Sequence, residues 1–300
     1  MSTRPAEAPP IFTLTGNLLA ERTLEFARWS PGKTNRAERE SFQVGGKGIN
    51  VSKMLTRLGV PNTALCFTGG APGAECEAWL RGRGFSFRAF TTNAPTRAGT
   101  VVREAGGSHA ETTFLGPDVP ADGAAVKACA EFLNAQPAGG ILALCGSFPG
   151  WASASLDHLS ASLDSWSGKG MLVVDTYGPA LSSLIELPVA LLKINADELN
   201  SLGHSRLEEI PDHVERTIIT DGPHAVRIRE AGGATETFVP PAIREVSPTG
   251  SGDVLLACVL EALFVRRLPL RDAVSFAIPY AAANAAHPGI AEFPPLNPDS

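Results

Sequence analysis

Short apolar runs recur along this chain with stretches of helical period between them, and that alternation restricts the fold more than any other feature. Runs at 11–15, 63–67, 141–145, 171–174, 191–194 and 217–220 read as strands. Segments 50–58, 73–83, 121–133, 152–163 and 196–202 read as helices. A strand with few polar positions needs cover on both faces, which a parallel sheet between two helix layers supplies. Crossovers of this type are right-handed, so the expectation is an α/β fold with a mostly parallel central sheet. Ligands of such a sheet gather at the carboxyl ends of its strands, where Asp175, Asn195 and Asp221 fall.

Two regions break the alternation. Segments 22–29 and 40–44 look extended, as do 99–104 and 109–115, the latter pair separated by Gly106-Gly107, a hairpin signal. Neither region has a helical pattern. They read as antiparallel strands forming a small β lid, with lid segments at about 18–44 and 97–117. A decorative edge hairpin is the plainer alternative. Leu24, Phe26 and Trp29 would leave an apolar edge open, so the lid is expected to close over a cleft and to form a homodimer.

The chemistry concentrates at Pro248-Thr249-Gly250-Ser251-Gly252-Asp253, which runs directly into the apolar stretch 254–260. Glycines opening a helix leave backbone N–H groups free to face one small volume, and such oriented amides hold anions. A carboxylate beside an anion nest is repelled by its ligand unless it takes a proton from the nucleophile attacking that anion. Asp253 in this position therefore suits phosphoryl transfer to an alcohol. An ordinary turn with a helix cap fits the same residues. The dinucleotide pattern G-x-G-x-x-G fails at Leu255, and no G-x-x-x-x-G-K-[ST] run occurs.

Composition narrows the partners. Net charge is −6 and no basic block occurs, which argues against nucleic acid and anionic membrane. No apolar stretch approaches the roughly 20 residues that span a bilayer. Residues 1–10 are polar and proline-rich without a signal-peptide core, so they read as a flexible tail of a cytoplasmic protein. The five cysteines form no C-x-x-C and read as buried small hydrophobes. His158, His204 and His213 have no metal-ligand spacing.

A second glycine cluster, Gly45-Gly46-Lys47-Gly48-Ile49-Asn50-Val51, adds close backbone approach, one ammonium and one amide, which suits a hydroxyl-rich molecule bearing an anion. G-G-K-G-I-N-V early and T-G-S-G-D late resemble the two signatures of the PfkB (ribokinase-like) carbohydrate kinases. The similarity runs from about Ile11 to Ile290. It is greatest to the 1-phosphofructokinase and tagatose-6-phosphate kinase branch, with landmarks at 13–17, 21–23, 32–36, Thr96-Arg97, 146–149 and Lys193-Ile194-Asn195-Ala196-Asp197-Glu198.

The resemblance implies a ribokinase-like three-layer α/β/α fold over 11–300 and an ATP- and Mg²⁺-dependent kinase. Asp253 would be the general base, with Gly250, Ser251 and Gly252 donating amides to the migrating phosphoryl group. Asn17, Glu21, Gly46, Lys47 and Asn50 would hold the sugar. Arg97 and Ser147, with Arg36 from the lid, would hold a phosphate already on it. Lys193, Asn195, Glu198, Thr220, Asp221, Gly222 and Asn284 would serve the nucleotide, Glu198 reaching Mg²⁺ through water. Without the family, Asn195 and Glu198 fit a capping box equally well.

Departures lie mostly on the acceptor side. Glu21 replaces an aspartate, Leu18 a proline and Gly99 an asparagine, while the nucleotide strand ends Gly222-Pro223-His224-Ala225 without its second glycine. The implied acceptor is a phosphorylated ketohexose. A kinase of an unphosphorylated sugar or nucleoside is the alternative, and a sugar-binding pseudokinase the third reading.

Overall fold

The computed structural model describes residues 8–104 and 111–296, so most of the expected tail and the Gly106-Gly107 turn lie outside the described residues. The chain opens with β1 (Ile11–Thr15), β2 (Leu19–Phe26), β3 (Arg39–Gly45), α1 (Lys47–Arg57) and β4 (Thr63–Thr68). Next come α2 (Gly70–Gly82), β5 (Phe87–Thr91), β6 (Arg97–Glu104), β7 (Thr112–Leu115) and α3 (Gly123–Asn134). The middle is β8 (Ile141–Cys145), α4 (Asp157–Ser167), β9 (Met171–Asp175), α5 (Pro179–Leu184), β10 (Leu191–Asn195) and α6 (Ala196–Ser201). It ends with β11 (Arg216–Asp221), β12 (Ala225–Glu230), β13 (Glu236–Phe238), α7 (Ser251–Leu260) and α8 (Leu270–Ala285).

Nine strands form the central sheet in the order β13-β12-β11-β10-β9-β8-β1-β4-β5. All pairs from β11 to β5 are parallel, whereas β12 and β13 pair antiparallel at one end. Side chains alternate across each strand and meet different helices. Leu142 and Leu144 of β8 join the cluster of α3, α4 and α5, while Ile141, Ala143 and Cys145 join that of α1, α7 and α8. Both faces are thus covered, and each such leucine or isoleucine contributes about 1.5–3 kcal/mol by leaving water. All five cysteines are buried, and burial pushes the Cys76 and Cys129 thiols up to about 12.

Some elements differ from expectation. β12 buries Val226 and Ile228, but Arg227 and Arg229 interrupt its apolar run, and α8 carries Pro279 inside it. α1 starts at Lys47, three residues early, because Gly46 at φ 121° turns the chain there. α3 starts late, where the Asp122 side chain accepts the Ala125 N–H at 2.9 Å. Among the described residues no helix is long and apolar enough to cross a membrane.

The extended regions form one separate sheet, ordered β3-β2-β6-β7. β3 and β7 are antiparallel to their neighbours, but the join between the two regions is parallel, from Leu19↔Arg97 to Phe26↔Glu104. β2 is consequently an interior strand. Phe26 is buried and Trp29 half-buried, so the expected apolar edge at Leu24, Phe26 and Trp29 is corrected. Phe114 and Leu115 of edge strand β7 carry the exposure instead, at 54% and 53%.

α1 lies so close to β1 that Gly48 has no room for a side chain. A Cβ there would stand 2.4 Å from Thr15 Oγ1 and 3.1 Å from the Leu14 carbonyl carbon. Gly48→Ala should destabilise the chain by about 1–3 kcal/mol, read as a lower urea midpoint with unchanged slope. An unchanged midpoint would mean that α1 can back away freely.

Candidate active site

The carboxyl ends of the central strands and one face of the second sheet enclose a cleft of about 530 Å³. Both glycine clusters line it, with Gly45, Gly46, Lys47 and Asn50 on one side and Gly250, Gly252 and Asp253 on the other. Another hollow of about 680 Å³, around Pro10, Met171, Phe264 and Arg267, has no carboxylate in its lining. The chemistry belongs to the cleft.

Gly250 takes φ 77°, a left-handed turn that lets α7 start, and a Cβ on it would press on Ile290 at 2.7 Å. The Val254 N–H donates to the Gly250 carbonyl at 2.9 Å and the Ser251 N–H to that of Pro248 at 3.2 Å. The amides of Gly250, Gly252 and Asp253 have no partner among the described residues, whereas that of Ser251 is already used. Ser251 does not line the cleft, and its hydroxyl accepts from Asn284 Nδ2 at 3.1 Å. Of the three amides expected to face an anion, those of Gly250 and Gly252 are free and that of Ser251 is engaged.

Asp253 is buried at the base of this nest, where Oδ2 accepts from Asn50 Nδ2 at 2.7 Å. Burial, then the nearby Asp175 charge, pushes its carboxyl up to about 6, against the pull of Lys47, Lys193 and Asn50. Asp175 is fully buried between two ammonium groups, Lys47 Nζ at 2.7 Å and Lys193 Nζ at 3.0 Å. Burial alone would raise its carboxyl, yet Lys193 and Lys47 hold it below the usual range. Burial likewise works against the Lys47 charge, but Asp175, Glu198 and Asp253 override it and raise its proton affinity. Sequence reasoning marked Asp175 as a strand end without giving it this role.

Asn195 and Glu198 form the capping box of α6. The Glu198 N–H donates to Asn195 Oδ1 and the Asn195 N–H to Glu198 Oε2, both at 2.8 Å. Glu198 Oε1 stands 3.5 Å from Lys47 Nζ. That oxygen is the one left for a hydrated cation, and magnesium keeps most of its waters. No cluster of three or more His, Cys, Asp and Glu side chains able to hold a metal occurs among the described residues.

At the other end, Asn17 Nδ2 donates to Asp118 Oδ1 at 2.8 Å and to Ser147 Oγ at 3.0 Å. Arg97 Nη1 donates to the same Asp118 oxygen at 2.7 Å. Glu21 pairs with Gln43 across the β2–β3 ladder, and burial lifts its carboxyl above the usual value despite the Gln43 hydrogen bond. Arg103 and Glu111 also line the cleft. Gln43, Arg103, Glu111 and Asp118 carried no sequence signal, since sheet register and loop packing alone bring them here.

Thr220 lines the cleft but Asp221 and Gly222 do not; they form the β11–β12 turn, Gly222 at φ 51°. Asn284 is buried, donating to the Thr249 carbonyl at 3.0 Å and accepting the Ala291 N–H at 2.8 Å, so its side chain braces the anion loop. Arg36 is exposed and does not reach the cleft.

Gly252 gives a sharp test of the nest. A Cβ there would stand 2.7 Å from Lys193 Nζ, the end of a flexible side chain. Gly252→Ala should therefore fold with a Tm within about 3 °C of wild type. It should nonetheless lose at least about tenfold in affinity for an ATP analogue by calorimetry, because the ammonium is displaced from the anion. Unchanged affinity would remove Lys193 and the Gly252 amide from the anion site.

A family model described as pfkB family carbohydrate kinase matches residues 15–296. The 1-phosphofructokinase of Borreliella burgdorferi is 28% identical over 295 residues, covering 94% of this chain and 94% of that protein. The 1-phosphofructokinase of Bacillus subtilis is 26% identical over 92% of each. The crystal structure of phosphofructokinase-2 from Escherichia coli superposes with a TM-score of 0.83 at 22% identity over 94% of both chains, a likeness of fold. The chain belongs to the pfkB family of carbohydrate kinases, ATP-dependent phosphotransferases with a ribokinase-like α/β fold.

Proposed function

We propose that the chain transfers the γ-phosphoryl group of ATP to a hydroxyl of a phosphorylated ketohexose, as a 1-phosphofructokinase does, with Asp253 as the general base. The observation that carries this is the buried Asp253 carboxylate beside the free amides of Gly250, Gly252 and Asp253 and the Lys193 ammonium. Asp253 takes the hydroxyl proton as the sugar oxygen bonds to the γ-phosphorus and the bond to ADP breaks. The Gly252 and Asp253 amides and Lys193 hold the charge on the transferring group. Bound Mg²⁺, held through water by Glu198, would neutralise charge on the nucleotide phosphates. Asn195 and Thr220 would lie along the nucleotide, with Asp221, Gly222 and Asn284 as its outer and supporting residues.

Asn17, Glu21, Gly46, Asn50 and Ser147 are proposed to hold the acceptor, with Lys47 steering it through its ties to Asp175 and Glu198. Arg97 is proposed to grip the acceptor's phosphate. One observation favours a neutral sugar or nucleoside instead: Arg97 is already paired with Asp118 at 2.7 Å. The second sheet is proposed as a lid that closes on substrate, and its β7 edge, carrying exposed Phe114 and Leu115, as a homodimer contact.

Asp253→Asn should lower kcat by roughly two to four orders of magnitude with nucleotide affinity little changed. In the parent enzyme the base works only when ionised. Its kcat/KM should therefore fall about tenfold per unit of pH below about 6 and level off above it, and the variant should lack this limb. A variant keeping more than about a tenth of the parent kcat would remove Asp253 as base.

Arg97→Ala separates the two acceptors. On D-fructose 1-phosphate its KM should rise by an amount equivalent to about 2–4 kcal/mol, while any neutral sugar is unaffected. An unchanged KM for every sugar phosphate would move the assignment to a neutral-sugar kinase.

A further inference from the structure

Thr249, at the mouth of the anion loop, is held from two directions. Asn284 of α8 holds its carbonyl from the core at 3.0 Å. From the second sheet, Glu111 Oε1 accepts from Thr249 Oγ1 at 2.9 Å and from Ser247 Oγ at 3.3 Å, the two hydroxyls flanking Pro248. The other oxygen of this carboxylate accepts from Arg103 Nη2 at 3.3 Å and Nε at 3.4 Å. Arg103 Nη2 also donates to the Pro288 carbonyl at 2.7 Å. Two residues later, Ile290 fills the space where Gly250 would carry a Cβ. The pair therefore touches both walls of the left-handed turn that starts α7.

Position within the second sheet gives these contacts their meaning. β2 and β6 leave the central sheet at Leu19 and Arg97 and run to Phe26 and Glu104. Arg103 and Glu111 sit towards the far end, one step beyond the Val102↔Thr112 pair. Their hydrogen bonds to 247–249 and 288 join the far end of this sheet to the anion loop, bypassing the stem. Only 16% of the Glu111 side chain and 26% of that of Arg103 is exposed. Charges buried this far hold each other in place, and removing one leaves the other unmet.

We infer that Glu111 is a positioning residue for phosphoryl transfer: with Arg103 it latches the second sheet to Ser247 and Thr249, so that closing the sheet over the cleft fixes the geometry of the 250–253 anion loop. This rests on the proposed kinase reading and adds a coupling between acceptor closure and the phosphate nest. An open sheet withdraws a charged acceptor from Thr249 and frees the loop. A closed one completes the nest when the acceptor is already enclosed, which disfavours transfer to water.

The test uses Glu111→Gln, Thr249→Val and the double variant in the full-length chain, with ATP, Mg²⁺ and D-fructose 1-phosphate. Each single variant should lose about 10–100-fold in kcat with KM for ATP within about threefold. The double variant should be no slower than the worse single one, because both remove the same contact. Hydrogen exchange should show that a non-hydrolysable ATP analogue plus fructose 1-phosphate protects 248–254 in the parent but not in Glu111→Gln. Thr249 is exposed, so Thr249→Val keeps the test alive should Glu111→Gln fail to fold. Unchanged kcat in the singles, losses that multiply in the double, or equal protection in both proteins would overturn the latch. Asp253→Asn in the same assay tests the kinase reading separately: its inactivity alongside an unimpaired Glu111→Gln would sink the latch alone.

Discussion

A carboxylate with no exposure to solvent, Asp175, joins the two halves of the site. Lys47 comes from the early glycine cluster on α1 and Lys193 from β10, and both ammonium groups close on the same buried side chain. Isolated, any of these charges would be costly to desolvate; as a triad, they fix two segments about 146 residues apart against each other. The geometry of Asp253 follows from that. Asn50 sits one turn after Lys47 and binds Asp253, while Lys193 presses on Gly252. Moving Asp175 would shift Asp253, the free amides beside it and the floor of the cleft together.

The same charges pull stability in opposite directions with pH. The Asp175 carboxyl lies below its ordinary value in the folded chain, so its contribution is present at neutral pH and lost as acid protonates it. Asp253 is raised from 3.8 to about 6, so it favours the folded state most below 3.8, and that contribution disappears as pH rises through about 6. The carboxylate proposed as the base is therefore kept at some expense of stability near neutrality. The lysines limit that expense.

How much of this was legible in the sequence depended on whether the signal was local. The parallel core could be read because its strands are apolar and its helices periodic, and the head of α7 because its left-handed turn at Gly250 favours glycine. Local patterns failed for β12, whose arginines break the apolar run, and for β2, whose place inside a sheet depends on a partner about 78 residues later. The wider set of residues around Glu21 and Arg97 was hidden for the same reason. Gln43 reaches Glu21 because antiparallel register sets them opposite, and Asp118 reaches both Asn17 and Arg97 from a loop. Nothing in the spacing of those residues announces a site.

The second sheet also separates what holds the fold from what meets the ligand. Alternate residues Leu19 and Glu21 of β2, and Arg97, Val101 and Arg103 of β6, turn towards the cleft. Ala20 of β2 and Val44 of β3 turn the other way and join Cys76 and Leu80 of α2 in an apolar cluster. Period two thus assigns anchoring to one face and the lining of the cleft to the other. Glu21 illustrates the consequence. Its carboxylate is met on the cleft face by Gln43 opposite, apart from the packing on α2. Cleft-facing side chains of such a sheet can be exchanged without touching either the packing on α2 or the Asp175–lysine triad.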